Sequence, residues 1–256
     1  ALEYWNRISL LKGGIMFSRL LTTVSPRYAS EIQTPEYGGG FDGIFRNRSA
    51  DLVGIRNGID YDQWDPACDP HLPEPFDATR FDGKAAAKRM VLEMFGLPAD
   101  KRARQRPLVG MISRLVDQKG FDLLADLVDE FPRLDASFVL LGTGERRYED
   151  LWLALAARHP ERIATKIGFD EAMAHRIEGG ADLFLMPSHF EPCGLNQMYS
   201  LRYGTVPLVH ATGGLYDTVR NYDSRTGSGT GFTFDDYSSQ ALFSTLRWAL
   251  DVYEDR

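Results

Sequence analysis

The 256-residue chain carries 29 Lys and Arg against 36 Asp and Glu, a net charge of −7 with His neutral. Its 43% apolar and 25% charged content is globular, which excludes a wholly disordered or collagen-like chain, and the length is ample for a hydrophobic core. The acidic balance argues against a nucleic-acid partner, which calls for a basic face, and is indifferent to an uncharged sugar polymer.

Leu2, Tyr4, Trp5 and Ile8 recur at helical spacing, so residues 1–21 are expected to be helical. The chain opens in mid-pattern without an initiator Met and reads as a fragment. Residues 21–24 are expected as a strand, 26–32 as a helix capped by Ser25, and 52–55 as a second strand. The stretch 35–43, with three consecutive glycines, is expected to be a mobile loop, and 60–83 a linker without periodicity. Helix returns at 84–95.

From Arg106 onward apolar runs alternate with helical faces. Strands are expected at 107–112, 137–141, 163–169, 183–186, 206–209 and 231–234. Between and after them, helices are expected at 121–131, 151–157, 171–177, 195–203, 215–219 and 241–253. Repeated strand–helix units predict an α/β fold, a Rossmann-like, doubly wound parallel sheet buried on both faces. Ligands of such sheets bind at the carboxyl ends of strands. The loops to inspect are therefore 113–120, 142–146, 169–171, 187–195 and 211–215. No run reaches the ~18–20 uncharged apolar residues of a membrane helix, and no membrane association is expected. Nor is there a signal peptide, though a fragment could lack one. Cys68 and Cys193 make neither a disulfide framework nor a zinc cluster and are expected as reduced thiols of a cytoplasmic protein.

Four motifs sit on those loops. Residues 113–120 (SRLVDQKG) place Arg114 and Lys119 between a strand and a helix, where a fork and a compact cation could grip a diphosphate. The alternative is a solvated polar loop, since the glycine pattern of a P-loop is absent. The glycines at 142 and 144 allow close backbone approach to a ligand or a tight turn. Residues 187–195 (PSHFEPCGL) hold Glu191 on a rigid loop with backbone amides at Cys193, Gly194 and Leu195. These suit sugar hydroxyls and anionic oxygens, or else a plain helix start with an acid near its positive end. Residues 211–215 (ATGGL) offer phosphate contact or a structural turn. His175, His189 and His210 lack metal-ligand spacing, and no metal site is expected. The first strand of the alternating region leads into SRL, not GxGxxG, which disfavours a dinucleotide-binding reading.

Together with NGID at 57–60, IGFDEAMAHRI at 167–177, GGAD at 179–182, RYGTVP at 202–207, TGGLYDTV at 212–219 and SGTGF at 228–232, these strings resemble bacterial glycogen synthase and plant starch synthase. Those enzymes are retaining glucosyltransferases of the two-domain GT-B fold. The resemblance implies that 1–57 end an acceptor-binding N-terminal domain and that 58–106 are the linker and first helix. Residues 107–256 would be the nucleotide-sugar-binding domain. The rest of the N-terminal domain, with its Lys-Thr-Gly-Gly-Leu loop and catalytic histidine, would lie outside this sequence, leaving the fragment inactive alone. It further implies transfer of glucose from ADP-glucose to an α-1,4-glucan, with no cofactor and no metal, in the cytoplasm or, in a plant or alga, a plastid. A non-catalytic nucleotide-sugar-binding module, or a UDP-sugar-using GT-B enzyme, stays open as the alternative.

By the same resemblance, Arg114 and Lys119 hold the diphosphate and Glu191 contacts the transferred glucose. Cys193, Gly194 and Leu195 touch sugar and phosphate, and Asn57 lines the cleft. Phe169 stacks on adenine where the family often has Tyr. Asn196 stands where Thr is commoner, which could alter a phosphate contact. Tyr199 stands where wider GT-B relatives carry a second glutamate.

Overall fold

A computed structural model describes residues 2–255, which form two compact units. The first comprises residues 2–58 with 190–194 and 212–217, and the second comprises 59–189, 195–211 and 218–255.

The first unit begins with an antiparallel pair, β1 (Glu3–Tyr4) and β2 (Arg7–Ile8), followed by α1 (Leu10–Phe17). The expected single helix over 1–21 is thus corrected. Trp5 and Asn6 take φ of 55° and 61°, the two left-handed residues of a tight hairpin turn. Tyr4 leaves the helical pattern because its ring stacks on Phe41 at 4.4 Å and its hydroxyl donates to the Gly39 carbonyl at 2.6 Å. Ser9 starts α1 by accepting from the Lys12 amide. Next come β3 (Leu21–Thr23), α2 (Pro26–Glu31), α3 (Asp42–Asn47) and β4 (Leu52–Gly54), with β3 and β4 paired in parallel. Ser25 caps α2 as expected, accepting from the Tyr28 amide. The 35–43 stretch is not an unanchored loop. It holds backbone turns, is tied by Tyr4, and its end already enters α3.

The second unit runs α4 (Asp82–Met94), α5 (Lys101–Gln105), β5 (Leu108–Leu115), α6 (Phe121–Asp126), β6 (Ser137–Gly144), α7 (Arg146–Arg158) and β7 (Ile163–Ile167). Then follow α8 (Glu171–Gly180), β8 (Leu183–Met186), α9 (Asn196–Arg202), β9 (Val206–His210), α10 (Gly213–Thr218), β10 (Phe232–Phe234) and α11 (Ser239–Glu254). All but the last residue of α10 belong to the first unit. Six parallel strands stand in the order β10-β9-β8-β5-β6-β7. Both faces are covered, as the continuous apolar runs require. Val109, Met111, Phe138 and Leu140 join one core with Phe121, Trp152 and Leu246, from α6, α7 and α11. Leu108, Val139, Leu141 and Phe184 join the other with Leu92 and Ile177, from α4 and α8.

Two further expectations change. The apolar spacing over 121–131 is not one helix, since α6 stops at Asp126 and Phe131 lies in a separate 3-10 turn with Pro132. Proline cannot continue a helix interior, yet Phe131 still reaches the same core, 5.2 Å from Phe138 between ring centres. Residues 60–83 are irregular but fixed. Trp64 lies between His175 and Tyr199, each stacked at 3.7 Å, and the buried Asp69 accepts from Tyr203 at 2.5 Å and pairs with His175 Nδ1 at 2.8 Å.

Candidate functional site

The strand order of the second unit gives the place where a ligand of such a sheet would bind. From β5 the chain winds outward through β6 and β7, then returns to β8 on the other flank of β5 and winds outward through β9 and β10. The topological switch lies between β5 and β8, and ligands of such sheets bind beyond their carboxyl ends. Two turns leave those ends, 116–120 after β5 and 187–189 after β8. They are joined, because the His189 amide donates to the Gln118 carbonyl at 2.9 Å.

Arg114 and Lys119 share this strand and turn. Arg114 is exposed near the end of β5 and donates through Nη2 to Gln118 Oε1 at 3.1 Å. Lys119 is half-buried at the end of the 3-10 turn Asp117–Lys119. The turn is held from outside. Asp117 accepts from Arg147 Nη2 at 2.5 Å and from the Tyr148 hydroxyl. The Tyr148 hydrogen bond, opposed by burial and assisted by Arg147, keeps the Asp117 carboxyl below the usual carboxylate range. Burial and the same contact push the Tyr148 phenol up.

The remaining loops of this unit resolve their alternatives in part. Glu149 Oε1 accepts from the Gly144 amide at 2.8 Å and the Thr143 hydroxyl at 2.7 Å, which favours the turn reading at 142–144. Those two hydrogen bonds, the amide first, hold the Glu149 carboxyl low. A Cβ on Gly142 would overlap the Ser113 carbonyl, so glycine there lets β5 and β6 run close beside Arg114. Phe169 is 91% exposed, an apolar ring in solvent just beyond β7. Leu195 is partly exposed, and Asn196 opens α9 by donating from Nδ2 to the Ile112 carbonyl of β5 at 3.1 Å.

The other expected site residues fall in the first unit. Glu191 is only 8% exposed, and its carbonyl accepts from the Gly214 amide at 3.0 Å. Asn57 meets Cys193. Burial pushes the Cys193 thiol up, opposed by hydrogen bonds from the Asn57 backbone and side chain. Gly194 has a φ of 66°, a left-handed turn. Thus Arg114, Lys119, Phe169, Leu195 and Asn196 belong to one unit, and Asn57, Glu191, Cys193 and Gly194 to the other.

Several residues of the surroundings carry no signal on a strand-end loop. The buried Glu31 carboxylate accepts from the Gly213 amide at 3.0 Å and the Thr212 hydroxyl at 3.3 Å, which favours a structural turn at 211–215. Asp217 accepts from the Ser25 hydroxyl at 2.6 Å and the Arg27 amide at 3.1 Å. Glu31 sits at the end of a short helix, and only its distance from Arg27, four residues away and bonded at 3.0 Å, hints at an organised carboxylate. Tyr148, on α7, and Tyr237, in the loop after β10, reach the Lys119 turn through their side chains and lie outside every sequence motif.

Comparison with known proteins gives the family of the chain. Residues 98–256 match the family described as "Glycosyl transferases group 1", and residues 1–47 match "Starch synthase catalytic domain". The chain is 53% identical over its whole length to "Glycogen synthase" of Anaeromyxobacter dehalogenans, covering 53% of that protein. It is 48% identical to "Glycogen synthase" of Koribacter versatilis, again over the whole chain and 52% of that protein. Among solved structures it superposes on the catalytic domain of starch synthase IV from Arabidopsis thaliana, bound to ADP and acarbose. The TM-score is 0.90 at 36% identity, over 99% of this chain and 52% of the other. The chain spans about half the length of these relatives. The α/β sheet is that of the GT-B enzymes, and by the match over 98–256 the chain belongs to the group 1 glycosyl transferases.

Proposed function

We propose that this chain is the donor-binding part of a glycogen or starch synthase, which transfers glucose from ADP-glucose to the non-reducing end of an α-1,4-glucan with retention. The observation that carries the reading is the pair Arg114 and Lys119 on the strand and turn that leave the switch point. A guanidinium fork and an ammonium there suit a diphosphate, and their charge would stabilise the departing ADP without a metal ion. Preorganisation supports this role, since the turn is already fixed by Asp117, Tyr148 and Arg147. Similarity to the starch synthase IV structure bound to ADP supports the nucleoside diphosphate, and relatives named glycogen synthase support the glucan.

Within this reading, Glu191 is assigned to the transferred hexose, where a buried carboxylate stabilises an oxocarbenium-like transition state. The leaving phosphate accepts the acceptor hydroxyl's proton on the same face of the sugar. Cys193, Gly194 and Leu195 are assigned to backbone contacts with sugar and phosphate, Asn57 to the cleft lining, and Phe169 to the adenine face. Asn196 is assigned a lesser part, because its amide already serves β5. Residues 1–57 are assigned to the acceptor-binding domain, with the rest of that domain as partner. The exposed apolar side chains of Leu10, Leu11, Phe17 and Ile55 in this segment support that assignment.

The test uses the longer protein with labelled ADP-glucose or UDP-glucose and glycogen. Label should enter α-1,4 linkages, with ADP-glucose preferred. Hydrolysis without transfer, or no turnover of either donor, would overturn the reading.

A further inference from the structure

Tyr237 lies in the loop between β10 and α11, outside every motif of the sequence, yet it touches both turns of the switch point. Its hydroxyl donates to Asp122 Oδ1 at 2.6 Å and lies 3.2 Å from the Asp117 carbonyl. Asp117 and Asp122 flank Lys119, so one phenol oxygen lies against a backbone carbonyl before that lysine and a side-chain carboxylate after it. The ring stacks on His189 at 4.3 Å with planes 25° apart, and the His189 amide closes on Gln118. The phenol also lies beside His210, 5.3 Å between ring centres, whose Nδ1 is 2.8 Å from the Ser188 carbonyl.

We propose that Tyr237 is a positioning residue for donor binding, fixing the Lys119 turn and the Ser188–His189 turn as one preformed cradle. The inference rests on the reading that Lys119 holds the donor's diphosphate, and it assigns the order of that site to a residue that touches no substrate. Its hydrogen bond to Asp122 is charge-assisted, and its ring brings the β8 turn with it. Without the phenol oxygen the Lys119 turn loses one of its ties while keeping those to Arg147, Tyr148 and the His189 amide, and its ordering is completed when ligand binds. Such ordering is subtracted from affinity. A phenol that merely braced the fold would lower stability without acting through Lys119.

The experiment is a double-mutant cycle on this chain, read by calorimetric titration with ADP and by thermal unfolding. Tyr237→Phe keeps the stack on His189 and removes one oxygen. It should raise the ADP Kd roughly five- to tenfold, within the span of one net hydrogen bond. The unfolding midpoint should move by less than about 4 °C. In the Lys119→Ala background the same change should alter the Kd by less than about twofold, because the coupled partner is gone. Asp122→Ala, which removes the acceptor instead, should reproduce the loss seen in Tyr237→Phe. An unchanged Kd in Tyr237→Phe, or an equal factor in both backgrounds, overturns the positioning role while leaving the donor site intact. Unweakened ADP binding by Lys119→Ala alone, or none by the unsubstituted chain, overturns the donor site and the positioning role with it.

Discussion

Gly120 lies directly against the carbonyl of Pro187, so the backbones leaving β5 and β8 touch at the switch point. Its φ is +80°, and an added Cβ would overlap that carbonyl as well as entering the left-handed region. Gly120→Ala should therefore destabilise the chain by about 1–3 kcal/mol in urea unfolding and weaken ADP binding. Wild-type stability and affinity together would show that the two turns do not depend on this contact.

Arg114 and Lys119 are expected to act on developing negative charge. Replacing either by Ala in the longer protein should cost about 2–4 kcal/mol of transition-state stabilisation, mostly in kcat. Steady-state rates with saturating glycogen measure this. Near-normal turnover of Lys119→Ala would remove that residue from the mechanism.

Phe169 separates ligand binding from folding, because a ring exposed over 91% of its surface contributes little to the core. Phe169→Ala should leave the unfolding midpoint near that of the unsubstituted chain and weaken ADP by about 1–3 kcal/mol, the scale of base–aromatic stacking. Phe169→Tyr should bind ADP about as well as Phe. Equal ADP affinity for the Ala variant would place the base elsewhere.

The spacing of apolar runs made most of the second unit legible. Strands 183–186 and 206–209 are found at nearly their expected bounds, as β8 and β9, because fully buried parallel strands leave little room for ambiguity. Helix-period residues at the start misled because Tyr4 serves a loop across the first unit through Phe41 and Gly39. Arg114 and Lys119 were visible because a strand end names its own loop. Asp69 was hidden in an aperiodic stretch, since its partners Tyr203 and His175 lie more than a hundred residues away. Tyr237 was hidden for the same reason, being 115 residues from Asp122. Local pattern reports which loop leaves a strand end, whereas the side chains that stiffen it come from long-range contacts.

Glu178 gives the chain a pH signature. It is buried on α8, and its Oε2 accepts from the Ser200 hydroxyl at 2.6 Å. Burial raises its carboxyl to about 8, with Ser200 and Lys84 pulling the other way. The folded state therefore binds the more protons between about 4.5 and 8, and stability from this group falls as pH rises through that window. Burial lowers the Lys84 ammonium to about 8, so above that pH its contribution has the opposite sign and stability recovers toward 10.5. Glu178→Gln, which mimics the neutral acid, should flatten the urea midpoint against pH between 5 and 8 on the scale of these two groups. Parallel curves for the variant and the unsubstituted chain would contradict a buried neutral acid.

The measurement that bears most directly on the account is calorimetric titration of this chain with ADP, with and without the paired substitution Arg114→Ala and Lys119→Ala. The account predicts saturable one-to-one binding that weakens at least a hundredfold on losing both cations, given about 1.5–3 kcal/mol for each charged hydrogen bond. Binding of equal strength in the doubly substituted chain would contradict it.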